Sequence, residues 1–182
     1  MFKTAGIEYH NRTSAPWVST EIFASGCYKN CPGCFNQKLR DPNYGRLISE
    51  EDVIADLIEN VPYKRVTFSG GEPFIQAESL AKIAKGIRKE GFVISCYTGY
   101  IYEDLPILFK GAKDLLQNID ILVEGPFIKE LLTPIDEDFK FVGSSNQRII
   151  NVQESLRQDK VVTWTEKELR EIKEESNGQI LG

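Results

Sequence analysis

The 182-residue sequence lacks any apolar run approaching the roughly 18 residues of a membrane-spanning helix, and its N-terminus lacks a signal-peptide pattern. The expected compartment is the cytoplasm, with no membrane partner. Excess positive charge is missing too. The 22 Lys and Arg residues face 27 Asp and Glu residues, for a net charge of −5, which argues against a broad nucleic-acid-binding surface. Histidine occurs once, as His10, in a polar loop over 10–16 where a solvated imidazole is expected rather than a ligand. Cysteine occurs four times, without the secretory signal that a disulfide framework would require. Repeats and low-complexity segments are absent. An apolar fraction of 41% and a charged fraction of 27% place the chain among ordinary globular proteins with a substantial core. The sequence is read as one domain over residues 1–182, with a core of about 6–152 and a C-terminal extension over 153–182.

Three of the four cysteines, Cys27, Cys31 and Cys34, fall in one stretch, residues 25–36, spaced C-x3-C-x2-C. Soft thiolates at such short intervals suit a metal or an iron–sulfur cluster. A structural zinc or an electron-transfer cluster normally takes four protein ligands. Three would leave one iron of a cluster open to bind something else. Gly26 and Gly33 remove side chains where the backbone must fold round a bulky object, and Pro32 stiffens the turn between the last two ligands. The competing readings are a zinc knuckle and a disulfide. The knuckle needs a distant fourth ligand from Cys96, His10 or a carboxylate. Cys96 itself is expected to be a small buried hydrophobe.

Taken in order, residues 2–7 suggest a short edge strand and 17–24 a strand running straight into the cysteine loop. Ser49 and three acidic residues predict a helix start, and Asn60 ends that helix. A strand over 65–69 feeds Gly70-Gly71-Glu72-Pro73, which by itself reads as a tight turn. A helix over about 78–90 follows, closed by Gly91. Then come a strand over 92–97 and a helical stretch over 102–118 broken near Pro106 and Gly111. Further strands are expected over 119–123 and 148–152, with an acidic loop at 136–138 and an apolar-rich segment at 139–142 between them. A strand over 160–164, a capped helix from Thr165 and a frayed tail over 176–182 complete the chain. This is a βαβ rhythm of four to five units, too few for a closed eight-unit barrel of about 250 residues. An open partial barrel or a doubly wound sheet remains. Both bring the cysteine loop and the Gly-Gly turn to one rim.

Four motifs together carry a resemblance. They are the cysteine stretch from Gly26 to Asn36, Ser-Gly-Gly-Glu-Pro at 69–73, Tyr-Thr-Gly-Tyr at 97–100 and Gly-Ser-Ser-Asn-Gln at 143–147. In this order the chain resembles the radical S-adenosylmethionine (SAM) superfamily. Within it, the narrower similarity is to the anaerobic (class III) ribonucleoside-triphosphate reductase activating proteins. The resemblance implies an α/β fold, a partial (open) βα barrel with a C-terminal strand and helix added. It implies that Cys27, Cys31 and Cys34 hold a [4Fe–4S] cluster whose open iron binds SAM. Reduction would cleave SAM to methionine and a 5′-deoxyadenosyl radical, which would take a hydrogen from a glycine of a large partner, a class III ribonucleotide reductase. The implied SAM-binding residues are Gly70, Gly71, Glu72 and Pro73, with backbone acceptors for the ammonium group, and Thr98, Ser144, Asn146 and Gln147. A flavodoxin- or ferredoxin-type protein would supply the electron. The alternative is a radical SAM enzyme acting on another protein, a peptide or a small molecule. Two features depart from the family pattern. The usual Asn-Gly-Pro-Gly is replaced by Asn11-Arg12-Thr13-Ser14-Ala15-Pro16, a loop expected on the rim where the partner docks. The chain also continues some thirty residues past the Ser-Ser-Asn-Gln motif.

Overall fold

A computed structural model of the protein describes residues 1–133 and 141–178. The acidic loop at 136–138, residues 139–140 and the last four residues of the tail lie outside the described part. One seven-stranded sheet organises the chain, in the order β3-β1-β2-β4-β5-β6-β7. Its strands are β1 (Phe2–Asn11), β2 (Ser19–Ala24), β3 (Arg46–Ile48), β4 (Arg65–Gly70), β5 (Val93–Tyr97), β6 (Ile121–Glu124) and β7 (Arg148–Asn151). The middle four, β2, β4, β5 and β6, are parallel, and antiparallel strands flank them on both sides. Three helical crossovers join the parallel strands, against the four to five units expected. They are α1 (Glu50–Asn60), α2 (Ala77–Arg88) and the broken pair α3 (Leu105–Leu108) and α4 (Ala112–Leu116). Two more helices, α5 (Val152–Gln158) and α6 (Glu166–Gly178), follow β7.

The period-2 alternation of the parallel strands sends their side chains to two different environments. On one face Ile22, Val66, Phe68, Ile94, Cys96 and Leu122 pack against the buried stripes of the crossover helices, such as Val53 and Leu57 of α1 and Leu80, Ile83 and Ile87 of α2. On the other face Ile121 and Val123 pack with Ala15, Trp17, Phe141 and Leu169, and Trp164 and Ile172 adjoin them. Helix α6 therefore covers the sheet face opposite the crossover helices. Beside this patch, at β2 and β4, the same face is polar. Ser19 and Thr67 share a hydrogen bond of 2.9 Å, and Ser69 donates to Glu21 at 2.5 Å.

Local signals explain most element ends. Ser49 caps α1 by accepting the Asp52 N–H at 3.0 Å. Thr165 and Glu168 form the reciprocal capping box of α6. Pro106 does not break the 102–118 stretch. It sits in the first turn of α3, where no intrahelical N–H is required, and the interruption falls after Leu108, with Gly111 left-handed. Three expectations fail. The first strand is not a short edge but runs to Asn11 between β2 and β3, and three residues with no strand signature, Arg46–Ile48, form the edge instead. The segment at 160–164 forms no strand, because Thr163 makes a single bridge to Ile150 and the chain soon turns into α6. Helix α5 was not foreseen, although Asn151 caps it by accepting the Glu154 N–H.

β7 is tied to β6 by a buried charge. Glu124 is 1% exposed and accepts from Arg148 Nε at 2.5 Å and from the Tyr102 N–H at 2.8 Å. Removing the guanidinium leaves a buried carboxylate without its counter-charge. Arg148→Met is expected to cost about 2 kcal/mol and to lower the thermal midpoint by roughly 4–8 °C, measured by circular dichroism. An unchanged midpoint would mean that water compensates Glu124.

Candidate active site

The C-terminal ends of the parallel strands form one rim, because each strand delivers its following loop to the same edge. β2 runs into the cysteine loop and β4 into the Gly-Gly turn, and register places Ala24 beside Gly70. The two loops are stitched together through their backbones. The Gly71 N–H donates to Ala24 O at 2.8 Å, and the Glu72 N–H donates to Gly26 O at 2.7 Å. The Asn36 side chain donates to Gly70 O at 3.0 Å. The returning end of the cysteine loop closes on its start, with the Gly26 N–H donating to Leu39 O at 2.8 Å and the Cys27 N–H to Arg40 O at 3.1 Å. Gly71 is side-chain-free for this reason. A Cβ there would lie 2.3 Å from Gly26 O and 2.7 Å from Leu39 O. Gly71 thus makes room for the cysteine loop, and it also lines the cavity described below.

Glu72 is buried and accepts three hydrogen bonds. Its Oε1 accepts the Phe74 N–H at 3.1 Å and the Thr98 hydroxyl at 2.9 Å, while Oε2 accepts the Gly99 N–H at 2.9 Å. Burial lifts its pKa to about 7, against the pull of these donors and of Lys29. Its carboxylate therefore ties the β4 loop to the β5 loop. Lys29 Nζ lies 4.3 Å from the centre of the Tyr100 ring.

The Gly-Ser-Ser-Asn-Gln motif acts as a clamp on the loop after β6. Gln147 Oε1 accepts the Gly143 and Ser144 N–H groups at 2.8 and 3.2 Å, and its Nε2 donates to Gly125 O at 3.0 Å. Ser144 Oγ accepts the Ile128 N–H at 3.1 Å, and Asn146 donates to Pro126 O at 2.9 Å.

These loops surround an open cavity of about 710 Å³. Cys27, Cys31, Cys34, Gly70, Gly71, Glu72, Thr98 and Gln147 all line it. Pro73, Ser144 and Asn146 do not. Pro73 is buried at the start of a short 3-10 turn, and the other two brace the β6 loop behind the wall. Cys96 is fully buried among the crossover helices, and His10 is exposed beside Tyr63. All four cysteines are free. Burial, with the negative neighbours Glu72, Cys31 and Cys34, pushes the Cys27 thiol up. Among the described residues, no three His, Cys, Asp or Glu side chains gather closely enough to hold a single ion. The three thiols open together onto a cavity large enough for a cluster and a ligand of drug size.

The far end of the cavity was only partly foreseen. The loop at 12–16 lines it, as expected of a rim element, and is joined by Glu21, Phe141 and Lys173. Glu21 is 8% exposed, and burial raises its pKa while the Ser69 and Ser14 hydroxyls oppose the shift. The alternation of Ser19 and Glu21 with Thr20 and Ile22 was the available signal for a polar inner face. Nothing in the sequence indicated that Lys173 of α6, 139 positions after Cys34, would reach the same cavity.

A family profile described as "4Fe-4S single cluster domain" matches residues 16–150. Over 142 residues the chain is 32% identical to the anaerobic ribonucleoside-triphosphate reductase-activating protein of Escherichia coli K12, covering 74% of this chain and 88% of that protein. It is 26% identical over 143 residues to the protein of the same description from Enterobacteria phage T4, covering 75% and 85%. It is also 26% identical over 155 residues to the pyruvate formate-lyase 1-activating enzyme of Escherichia coli K12, covering 82% and 60%.

Proposed function

We propose, from the premise that this chain belongs to the anaerobic ribonucleoside-triphosphate reductase-activating proteins, that it installs a glycyl radical on an anaerobic ribonucleotide reductase. It is a radical SAM enzyme and works with a [4Fe–4S] cluster and S-adenosylmethionine. The observation that carries the reading is the convergence of Cys27, Cys31 and Cys34 with Gly70–Glu72, Thr98 and Gln147 on one cavity at the rim of four parallel strands. The four strands and three crossovers are read as an open, partial barrel of the radical SAM type.

The donor set fits the cluster: three soft thiols, all free, on a loop whose backbone is held by the β4 turn. When bound, the cluster supplies the electron that cleaves the sulfonium C–S bond of SAM. Everything else falls to the chain. Cys27, Cys31 and Cys34 would hold three irons. The Gly70–Glu72 backbone positions the thiolate loop, and its carbonyl groups would accept the ammonium of SAM. Thr98 and Gln147 line the walls of the same cavity and would border the rest of SAM. Pro73, Ser144 and Asn146 keep those walls in place from behind. The loop at 12–16, with Lys173, borders the end by which the partner's glycine comes into van der Waals reach of the deoxyadenosyl carbon. A flavodoxin- or ferredoxin-type donor and a cytoplasmic location complete the proposal. No helix among the described residues is long and apolar enough to cross a membrane.

The test mixes the reconstituted protein, SAM and a strong reductant with a class III reductase from the same source. The expected result is an electron paramagnetic resonance doublet that collapses when the reductase glycine is deuterated at Cα. SAM cleavage to 5′-deoxyadenosine without that signal would sink the reductase assignment and leave a radical SAM enzyme with another substrate.

A further inference from the structure

Around the cysteine loop the sign of the charge inverts. The chain carries a net charge of −5, yet residues 27–40 contain Lys29, Lys38 and Arg40 and no carboxylate. Lys29 turns towards Tyr100 and the cavity, and Arg40 is half-buried. Lys38 is exposed. A further exposed lysine, Lys129, comes from the segment after β6 and lays its stem on the loop. A Cβ on Gly33 would lie 2.9 Å from Lys129 Cδ. Along the chain, carboxylates resume only at Asp41, and at Glu130 beside Lys129. Two aromatic side chains of the loop also stand in solvent. Tyr28 is 79% exposed, and Phe35 is 68% exposed although its ring lies 5.1 Å from that of Phe127. Both follow cluster cysteines directly in sequence. Neither lysine, Lys38 nor Lys129, lines the cavity, so the chemistry above leaves them unused.

We propose that this face is the docking surface for an acidic one-electron carrier protein, the donor that reduces the cluster. The inference rests on the radical SAM reading of the cysteine loop. One electron leaves the donor's reduced flavin or iron–sulfur centre, which is oxidised by one electron, and the cluster is reduced by one. No bond is made or broken and no proton moves. The half-buried thiols Cys27, Cys31 and Cys34 lie on the same loop as Phe35 and Lys38, so docking here gives a short path. Electron-transfer encounters bury less than about 1,200 Å² and are transient. They depend on steering charge more than on a large apolar seal. An acidic donor is repelled by a protein of net charge −5 over most of its surface. A local basic patch around exposed Phe35 therefore selects the face as well as the partner.

The experiment uses the reconstituted holoprotein, an acidic flavodoxin as probe, and the double variant Lys38→Glu/Lys129→Glu. Titration calorimetry at low ionic strength is expected to show flavodoxin binding weakened about tenfold, a difference that disappears near about 0.5 M salt. SAM cleavage driven by dithionite, which needs no docking, stays at the wild-type rate. Lys82→Glu/Lys85→Glu, on the exposed side of α2, makes the same change in net charge and is expected to leave binding within about twofold. Unchanged flavodoxin affinity in the first variant, or equal weakening in both, overturns the proposal. So does unchanged flavodoxin affinity with loss of the reductase glycyl radical under dithionite, which would give the face to the reductase. A wild-type protein that fails to cleave SAM with dithionite refutes the enzymatic reading instead, and the calorimetric comparison still decides the surface.

Discussion

Replacing Cys27, Cys31 or Cys34 singly with serine is expected to abolish the visible absorbance and the bound iron of the anaerobically reconstituted protein, whereas Cys96→Ser keeps both. Serine offers a hard, weakly acidic hydroxyl where a soft thiolate is needed. With three protein ligands, the loss of one leaves two irons without protein sulfur. The three residues line one cavity on a single loop. Cys96 lies at 0% exposure among the crossover helices, and burial holds its thiol well above the ordinary range, so it is kept protonated. Cys96→Ser has a different cost. It puts a hydroxyl into an apolar core, worth about 1–3 kcal/mol of stability. The two classes of variant therefore separate: three lose iron while staying folded, and one loses thermal stability while holding iron. Loss of iron in Cys96→Ser with an unchanged thermal midpoint would mean that four cysteines serve the cluster and that no iron is open to SAM.

Gly71→Val is expected to lose the cluster as well, although Gly71 ligates nothing. The new Cβ would stand 2.3 Å from Gly26 O and 2.7 Å from Leu39 O. Both obstacles are backbone, so no flexible side chain can swing aside, and one precedes the first ligand directly. Over-packing a closed contact costs about 1–3 kcal/mol or more. Here relief comes most easily by letting the cysteine loop detach, which breaks the Glu72 N–H···Gly26 O and Gly71 N–H···Ala24 O bonds. Iron content after reconstitution and SAM affinity by anaerobic calorimetry should fall together. Gly6→Ala in β1 is the control, since a Cβ there meets nothing within 4 Å. Iron content near wild type with SAM affinity alone reduced would show that Gly71 faces the ligand and that the loop contact is dispensable.

The two glycines of the Gly70–Gly71 turn show where the sequence stops being informative. That a ligand-bearing loop should follow one parallel strand and a side-chain-free turn the next was legible from local signals: cysteine spacing, β-branched runs and helix caps. The alternation of strands and helices also placed both loops at one rim, since parallel connections leave no other geometry. Cys96 could be assigned to the core from its place in an apolar strand. What Gly71 makes room for could not be known, because its neighbours Gly26 and Leu39 are more than thirty positions away and their distance depends on register and loop path. The same holds for the hydrogen bond between Glu21 and Ser69, 48 positions apart, and for the Gln147 clamp on Gly125. That Ser144 would accept the Ile128 N–H and Asn146 donate to Pro126 O was equally out of reach of the sequence. The cover of the inner face by α6 likewise depends on Leu169 meeting Ile121 and Val123 of the sheet. Periodicity and spacing are properties of neighbouring residues, so the sequence by itself determined the thiolate loop, the strand–helix rhythm and the common rim. Which polar group meets which is settled when distant strands come into register and every buried donor must find an acceptor, and that only the tertiary structure decided.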